Sequence, residues 1–132
     1  MALPPNLATN DIISEAWVDA VVDTVTPTAW TAVTFSNGWI NESGLQVVQY
    51  RKEGDRVFVR GSSVAPASPT NSPFTLPAGF RPPALIRLPL VGLGGGAAKV
   101  LRADLSTAGV LIVNDAAAGW TVFNEFSFST VA

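Results

Sequence analysis

Neither cysteine nor histidine occurs in this 132-residue sequence, and the two absences remove a large part of protein chemistry at once. Without cysteine there is no disulfide framework, no thiolate metal site and no thiol nucleophile, and the redox compartment is left open. Without histidine the commonest metal ligand is gone, and so is the side chain best matched to proton transfer near neutral pH. Charge is scarce too: charged residues make up 14% of the chain, against roughly 25% in an average soluble domain. Hydrophobic residues account for 48%, so much of the exterior needs a cover, and self-association is the simplest one. The formal net charge of −2 lacks the clustered Lys and Arg excess that nucleic-acid binding requires. No apolar run approaches the roughly 18 residues of a membrane-spanning helix, and Met1–Pro5 has no basic segment ahead of an apolar one. The expectation is a soluble, unexported chain with room for one ordinary domain, without nucleic-acid binding or membrane insertion.

Two regions differ in pattern. Residues 1–29 read as an arm and a short helix: Pro4-Pro5 favours extended backbone, Ser14 caps, and Glu15 suits the positive end of a helix dipole. Trp17, Ala20, Val21 and Thr24 then fall at helical spacing until Pro27, which predicts a helix over Glu15–Val25. Its acidic stripe is Glu15, Asp19 and Asp23, while apolar residues wrap well over half the circumference. Two readings stay open, a helix packed on its own domain or one buried between subunits or on a larger assembly. Under the second, Ile12, Ile13, Trp17, Val18, Val21 and Val22 are the anchoring residues.

From Trp30 to the end, short runs rich in Val, Thr and aromatics alternate with Gly, Pro, Asn and Asp, which is the pattern of an all-β domain. Strands are expected at Trp30–Phe35, Leu45–Lys52, Arg56–Gly61, Ala84–Val91, Ala98–Leu105, Gly109–Val113 and Thr121–Phe128. Asn37-Gly38 and Glu53-Gly54-Asp55 are turn signals. Ser62–Pro73 reads as a surface loop, Phe74–Pro83 as an irregular crossover and Gly92–Gly96 as a flexible hairpin tip. The expected fold is an antiparallel β-sandwich, jelly-roll-like, over residues 30–132, preceded by the arm and helix.

Three strings invite a chemical reading. Gly92-Leu93-Gly94-Gly95-Gly96-Ala97 superficially matches a dinucleotide fingerprint, but the residues after it alternate as a strand where the fingerprint requires a helix. Glu42, Glu53, Asp55, Asp104, Asp115 and Glu125 are the carboxylates available for glycosidase chemistry, and their turn settings mark none of them out. Trp30, Trp39 and Trp120 sit at strand ends, where closing the sandwich is the expected use, with sugar stacking as the competing one. No catalytic residue, metal ligand or cofactor is implied.

The landmarks taken in order do resemble a known family. They are Trp30, Asn37-Gly38-Trp39, the run Val48-Gln49-Tyr50-Arg51-Lys52-Glu53-Gly54-Asp55-Arg56-Val57, then Arg60-Gly61 and Thr75-Leu76-Pro77-Ala78-Gly79-Phe80-Arg81-Pro82. A Gly109-Val110 strand and a closing Trp120–Phe128 strand complete them. The pattern resembles phage virion domains found at the ends of tail fibres and minor tail proteins, and on head-decoration proteins, of phages infecting actinobacteria. That resemblance implies a non-enzymatic homotrimeric β-sandwich on the particle surface, made in the host cytoplasm. Tyr50, Phe80 and Arg81 would then be interface or crossover residues, with Phe80 plugging the end of the core and Arg81 pairing across a subunit boundary. The first functional expectation is a trimeric capsid decoration or head-fibre protein whose residues 1–29 dock on the major capsid protein or other virion proteins. The alternative is a tail-tip receptor-binding protein recognising a host cell-envelope glycan.

Overall fold

The computed structural model describes residues 27–67, 72–94, 96–114 and 116–132. The expected arm and helix, with Ile12, Ile13, Trp17, Val18, Val21 and Val22, lie outside the described residues. The ten strands among those described are β1 (Thr31–Ala32), β2 (Ile40–Asn41), β3 (Gln49–Glu53), β4 (Arg56–Arg60), β5 (Ser62–Ala65), β6 (Ile86–Gly94), β7 (Ala97–Leu105), β8 (Leu111–Val113), β9 (Gly119–Val122) and β10 (Phe126–Ser129). They form two antiparallel sheets, one in the order β1-β3-β4-β10 and the other in the order β2-β5-β9-β6-β7-β8. The β-sandwich expected from the alternation is thus the fold.

Local chemistry accounts for the hairpins. Glu53 pairs with Arg56 across a two-residue Gly54-Asp55 loop, and Gly54 takes a φ of +57°. That is the backbone a tight hairpin of this hand demands. Asn37 and Gly38 likewise both have positive φ, at 58° and 81°. The glycine string closes a long hairpin in which Gly94 pairs with Ala97, and a strand follows it, as the alternation requires.

Period-two alternation builds the core. Val57 and Val59 of β4, Leu101, Ala103 and Leu105 of β7, and Leu111 and Val113 of β8 all point inward and are buried. Trp39, Phe74, Leu76 and Phe123 fill the space between the sheets, with Phe74 and Phe123 edge to face at 5.5 Å between ring centres. Thr121 is fully buried among them and its Oγ1 has no hydrogen-bond partner. An unmade hydrogen bond at a buried hydroxyl costs about 1–3 kcal/mol. Thr121→Val is therefore expected to stabilise the fold by about 1 kcal/mol, read as a rise of about 3–5 °C in Tm, and a fall would contradict it.

One ribbon joins the two sheets. The β4–β5 strand and the β9–β10 strand run side by side and leave one sheet for the other at the same place, a corner device known for sandwiches. Phe123 N–H donates to the Gly61 carbonyl at 2.8 Å at this corner. Between the pairs Val59–Phe126 and Ser62–Val122 one strand carries Arg60 and Gly61 and the other Phe123, Asn124 and Glu125. The extra residue acts as a bulge that bends the ribbon. Pro89 lies in β6 beside this corner, beyond the last β6–β9 pair at Val91–Val122, so its missing N–H costs that ladder nothing.

Several expectations are corrected here. Ser62–Ala65 is not surface loop but an interior strand between β2 and β9, because its small side chains fit a closely packed position and Ser63 Oγ donates to the Thr121 carbonyl. Thr121–Phe128 is two strands in different sheets rather than one. Gly92 belongs to a strand, not to a flexible tip: a Cβ there would lie 2.6 Å from Leu101 Cδ1. Of the Trp residues expected to close the sandwich, Trp39 does so, whereas Trp30 and Trp120 are only half-buried. Trp120 is one position from inward Thr121, so the pleat turns it to the outer face.

Candidate functional site

The crossover between the sheets is fastened at several points. Leu76 N–H donates to the Gly109 carbonyl at 2.8 Å, Phe80 N–H to Pro77 at 3.1 Å, and Lys52 Nζ to Gly79 at 2.9 Å. The Phe80 ring meets Tyr50 edge to face at 5.0 Å, on the inward side of β3. Arg81 Nε donates to the Leu76 carbonyl at 2.9 Å, within its own chain. The structure therefore brings Tyr50 and Phe80 together, while Arg81 locks the crossover a short distance away. Gly109 is needed beneath them, since a Cβ there would lie 2.3 Å from the Leu76 oxygen.

The outer face of the four-stranded sheet carries a second cluster. The Gly54 hairpin sets β3 against β4 so that Arg51 faces Phe58 and Gln49 faces Arg60. Thr28 N–H donates to the Lys52 carbonyl and Lys52 N–H to Thr28 Oγ1, which continues the β1–β3 pairing and lays Trp30 alongside. The Arg51 guanidinium sits 4.8 Å from the Trp30 ring centre and 5.7 Å from that of Phe58, and the Arg60 guanidinium 3.9 Å from Trp30. Arg60 also donates Nε and Nη2 to Gln49 Oε1, and Arg56 Nε donates to Ser127 Oγ. The sequence reading missed this cluster. Its signal was the alternation of Gln49, Arg51 and Glu53 opposite Phe58 and Arg60 across a two-residue loop, which places them on one face once the register is read.

The outer face of the six-stranded sheet is apolar over most of its width. Cross-strand registers place Ile40, Val64 and Trp120 in one row and Val122, Val91 and Val100 in the next. Val100 is 69% exposed, Ile40 60% and Val91 47%. Charge gathers at the β6–β8 end, where Asp104 receives Arg87 at 3.2 Å and Arg102 at 3.6 Å, while Glu42 borders the face at Ser62 on the β2–β5 side. Exposed pairs of this kind contribute about 0–1 kcal/mol. A shallow groove of about 330 Å³ runs over Arg87, Pro89, Val100 and Arg102.

The carboxylates considered for acid–base chemistry are dispersed. Asp104 is held by its two arginines, Glu53 and Asp55 flank the Gly54 turn, and Glu42 accepts a hydrogen bond from Ser62 Oγ. Asp115 lies outside the described residues. Among the described residues no three acidic side chains gather as a metal site would need.

No protein-family model and no curated protein matches this sequence. Solved structures do. The receptor-binding protein gp15 of Listeria phage PSA superimposes with a TM-score of 0.67 at 18% identity, over 89% of this chain and 75% of that one. The head domain of lactococcal phage bIL170, described among receptor-binding domains, gives a TM-score of 0.53 at 20% identity, over 78% of this chain and 98% of that one. The two-sheet arrangement of this chain is thus a fold it shares with receptor-binding domains of bacteriophages.

Proposed function

We propose that this chain is a bacteriophage virion protein whose β-sandwich is displayed for recognition of a host-surface glycan, and that it works without catalysis. The observation that carries this reading is the fold shared with two phage receptor-binding domains. A fold alone does not dictate function. The reading gains support from the outer face of the four-stranded sheet, which offers half-buried aromatic and arginine groups stacked on one another. The actinophage family suggested by the landmark residues is the source we assign. Residues 1–29 serve as the attachment to the virion, with Ile12, Ile13, Trp17, Val18, Val21 and Val22 as anchors. We assign the attachment to the tail end of the particle, in keeping with the receptor-binding reading of the sandwich. Labelling intact particles with an antibody to this chain tests that placement: label at the tail tip is expected, and label spread over the head would replace the reading with capsid decoration.

The functional unit in this proposal is a homotrimer joined through the outer face of the six-stranded sheet. Apolar patches of this breadth mark interaction surfaces. Edge-to-edge pairing is a weaker route, because the four edge strands are short: β1 and β2 have two residues, β8 three and β10 four. Tyr50, Phe80 and Arg81 brace the neighbouring crossover. Val91 and Val100 are cross-strand partners, so Val91→Lys with Val100→Glu gives the single chain a compatible surface pair while placing charge in the contact. The double variant is expected to elute as a folded monomer where the parent elutes as a trimer, by light scattering with circular dichroism. A variant that stays trimeric would remove this face from the interface.

A further inference from the structure

We propose that the outer face of the four-stranded sheet, centred on Trp30, Arg51 and Arg60, binds the oxyanion of an anionic saccharide, a phosphate or carboxylate carried on a sugar. The inference rests on the reading of the chain as a glycan-recognition domain and gives it a site and a ligand class.

Three features point to an oxyanion. The first is uncompensated charge. Arg51, Arg56 and Arg60 share this face, and among the described residues no carboxylate lies within 4.0 Å of any of them, whereas Arg87 and Arg102 on the opposite sheet both reach Asp104. Glu53 faces Arg56 in register but lies outside ion-pair distance. The second is crowding of like charges: Arg51 and Arg60 stand on adjacent strands over a single indole ring. Neighbouring like charges destabilise a sheet unless an opposite charge joins them. The third is an unspent donor. Arg51 Nε is buried without a hydrogen-bond partner, so this guanidinium is held by its ring contacts and spends no donor on an acceptor among the described residues.

The same contacts prepare the site. Stacking on Trp30 and Phe58 holds the Arg51 plane, and Gln49 holds one edge of Arg60, so little side-chain freedom is lost on binding. A planar guanidinium presents parallel N–H donors matched to phosphate or carboxylate oxygens, which an ammonium does not. Nucleic acid is the less favoured polyanion. It needs a long cationic track, and this face offers three arginines in a chain of net charge −2.

The test is titration of the full-length chain followed by NMR, observing backbone amides and the Nε–Hε signals of Arg51 and Arg60. The probes are glucose 1-phosphate, glucuronate, glucose and a short oligo-dT. Either anionic sugar is expected to shift the Arg51 and Arg60 signals saturably, the two arms showing which oxyanion is preferred, and glucose is expected to leave them in place. Arg51→Gln with Arg60→Gln should weaken binding at least tenfold, Arg51→Lys should also weaken it, and Arg87→Gln should not. Retained amide dispersion in each variant controls for folding. The proposal is overturned if neither anionic sugar shifts these signals, if the double glutamine variant binds as the parent does, or if oligo-dT binds more tightly than both sugars. Host-cell binding that survives in the double variant would sink this site while leaving the recognition role intact. Saturable sugar binding by a chain that ignores host cells would do the reverse.

Discussion

Replacing Trp39 by alanine is expected to cost about 3–5 kcal/mol of folding stability, the range for removing a large aromatic from a packed interior. Trp39 is 2% exposed and is the largest fully buried side chain among the described residues. It follows directly on the Asn37-Gly38 turn, which fixes its direction: Trp39 N–H donates to the Ser36 carbonyl, and Asn37 Nδ2 ties the turn to the Ser72 carbonyl at 2.8 Å. Trp39 belongs to a single buried cluster that draws on both sheets, including Val57 and Val59 of one and Leu101 and Leu105 of the other. Against a total of about 5–15 kcal/mol for a domain, the loss is a large fraction of what holds the chain folded. A urea titration followed by circular dichroism should move its midpoint down by roughly 2 M. Trp39→Phe should recover part of the difference. A midpoint within 0.5 M of the parent, with the rough slope unchanged, would show that the indole is not a keystone of the core.

Gly61→Ala is the second large effect, and it acts through the backbone. Gly61 has a φ of +118° and stands where the ribbon passes from one sheet to the other. A Cβ there would lie 2.4 Å from the Val47 carbonyl oxygen and 2.6 Å from Val48 Cα. Both are main-chain atoms, so no side chain can rotate aside. That main chain is itself pinned, by Ser62 N–H to the Gln46 carbonyl at 2.9 Å and Val48 N–H to Asn41 Oδ1 at 2.8 Å. Strain at such a φ costs about 1–3 kcal/mol and overpacking a similar amount, so the expected loss is about 2–6 kcal/mol. Gly54→Ala is the control. Gly54 also has positive φ, but its missing Cβ has nothing within 4 Å, so only the conformational cost of about 1–2 kcal/mol applies. Equal melting losses for the two variants would refute a steric role for Gly61.

The parts of the fold legible in the sequence are those set by neighbours along the chain. The Gly54 hairpin and the alternation of Leu101, Ala103 and Leu105 follow from turn chemistry and the pleat, and both stand as expected. What was misread shares a cause. Val57, Val59, Ser63 and Ala65 keep one period-two phase through the corner, because both sheets face the same core, so alternation does not report the change of sheet. In the returning strand the extra residue moves the inward set from Thr121 and Phe123 to Phe126 and Phe128. That phase shift was present in the sequence and marks the bulge. Small polar residues are usually exposed, so Ser62 and Ser63 read as loop in sequence, whereas here hydrogen bonds to Glu42 and to the Thr121 carbonyl satisfy them inside a sheet.

By itself the sequence determined the all-β class, the hairpin positions, and the exclusion of thiol and histidine chemistry, since these depend on composition and on contacts between near neighbours. Which residues share a surface was decided only by the tertiary structure. Trp30, Arg51 and Arg60 meet because β1, β3 and β4 lie side by side, and Ile40, Trp120 and Val100 share a face because β2, β9 and β7 belong to one sheet. The alternation of a strand says which residues face together but not which strand lies beside it. That choice is made by packing of the whole core, where the hydrophobic gain of one arrangement exceeds that of its competitors.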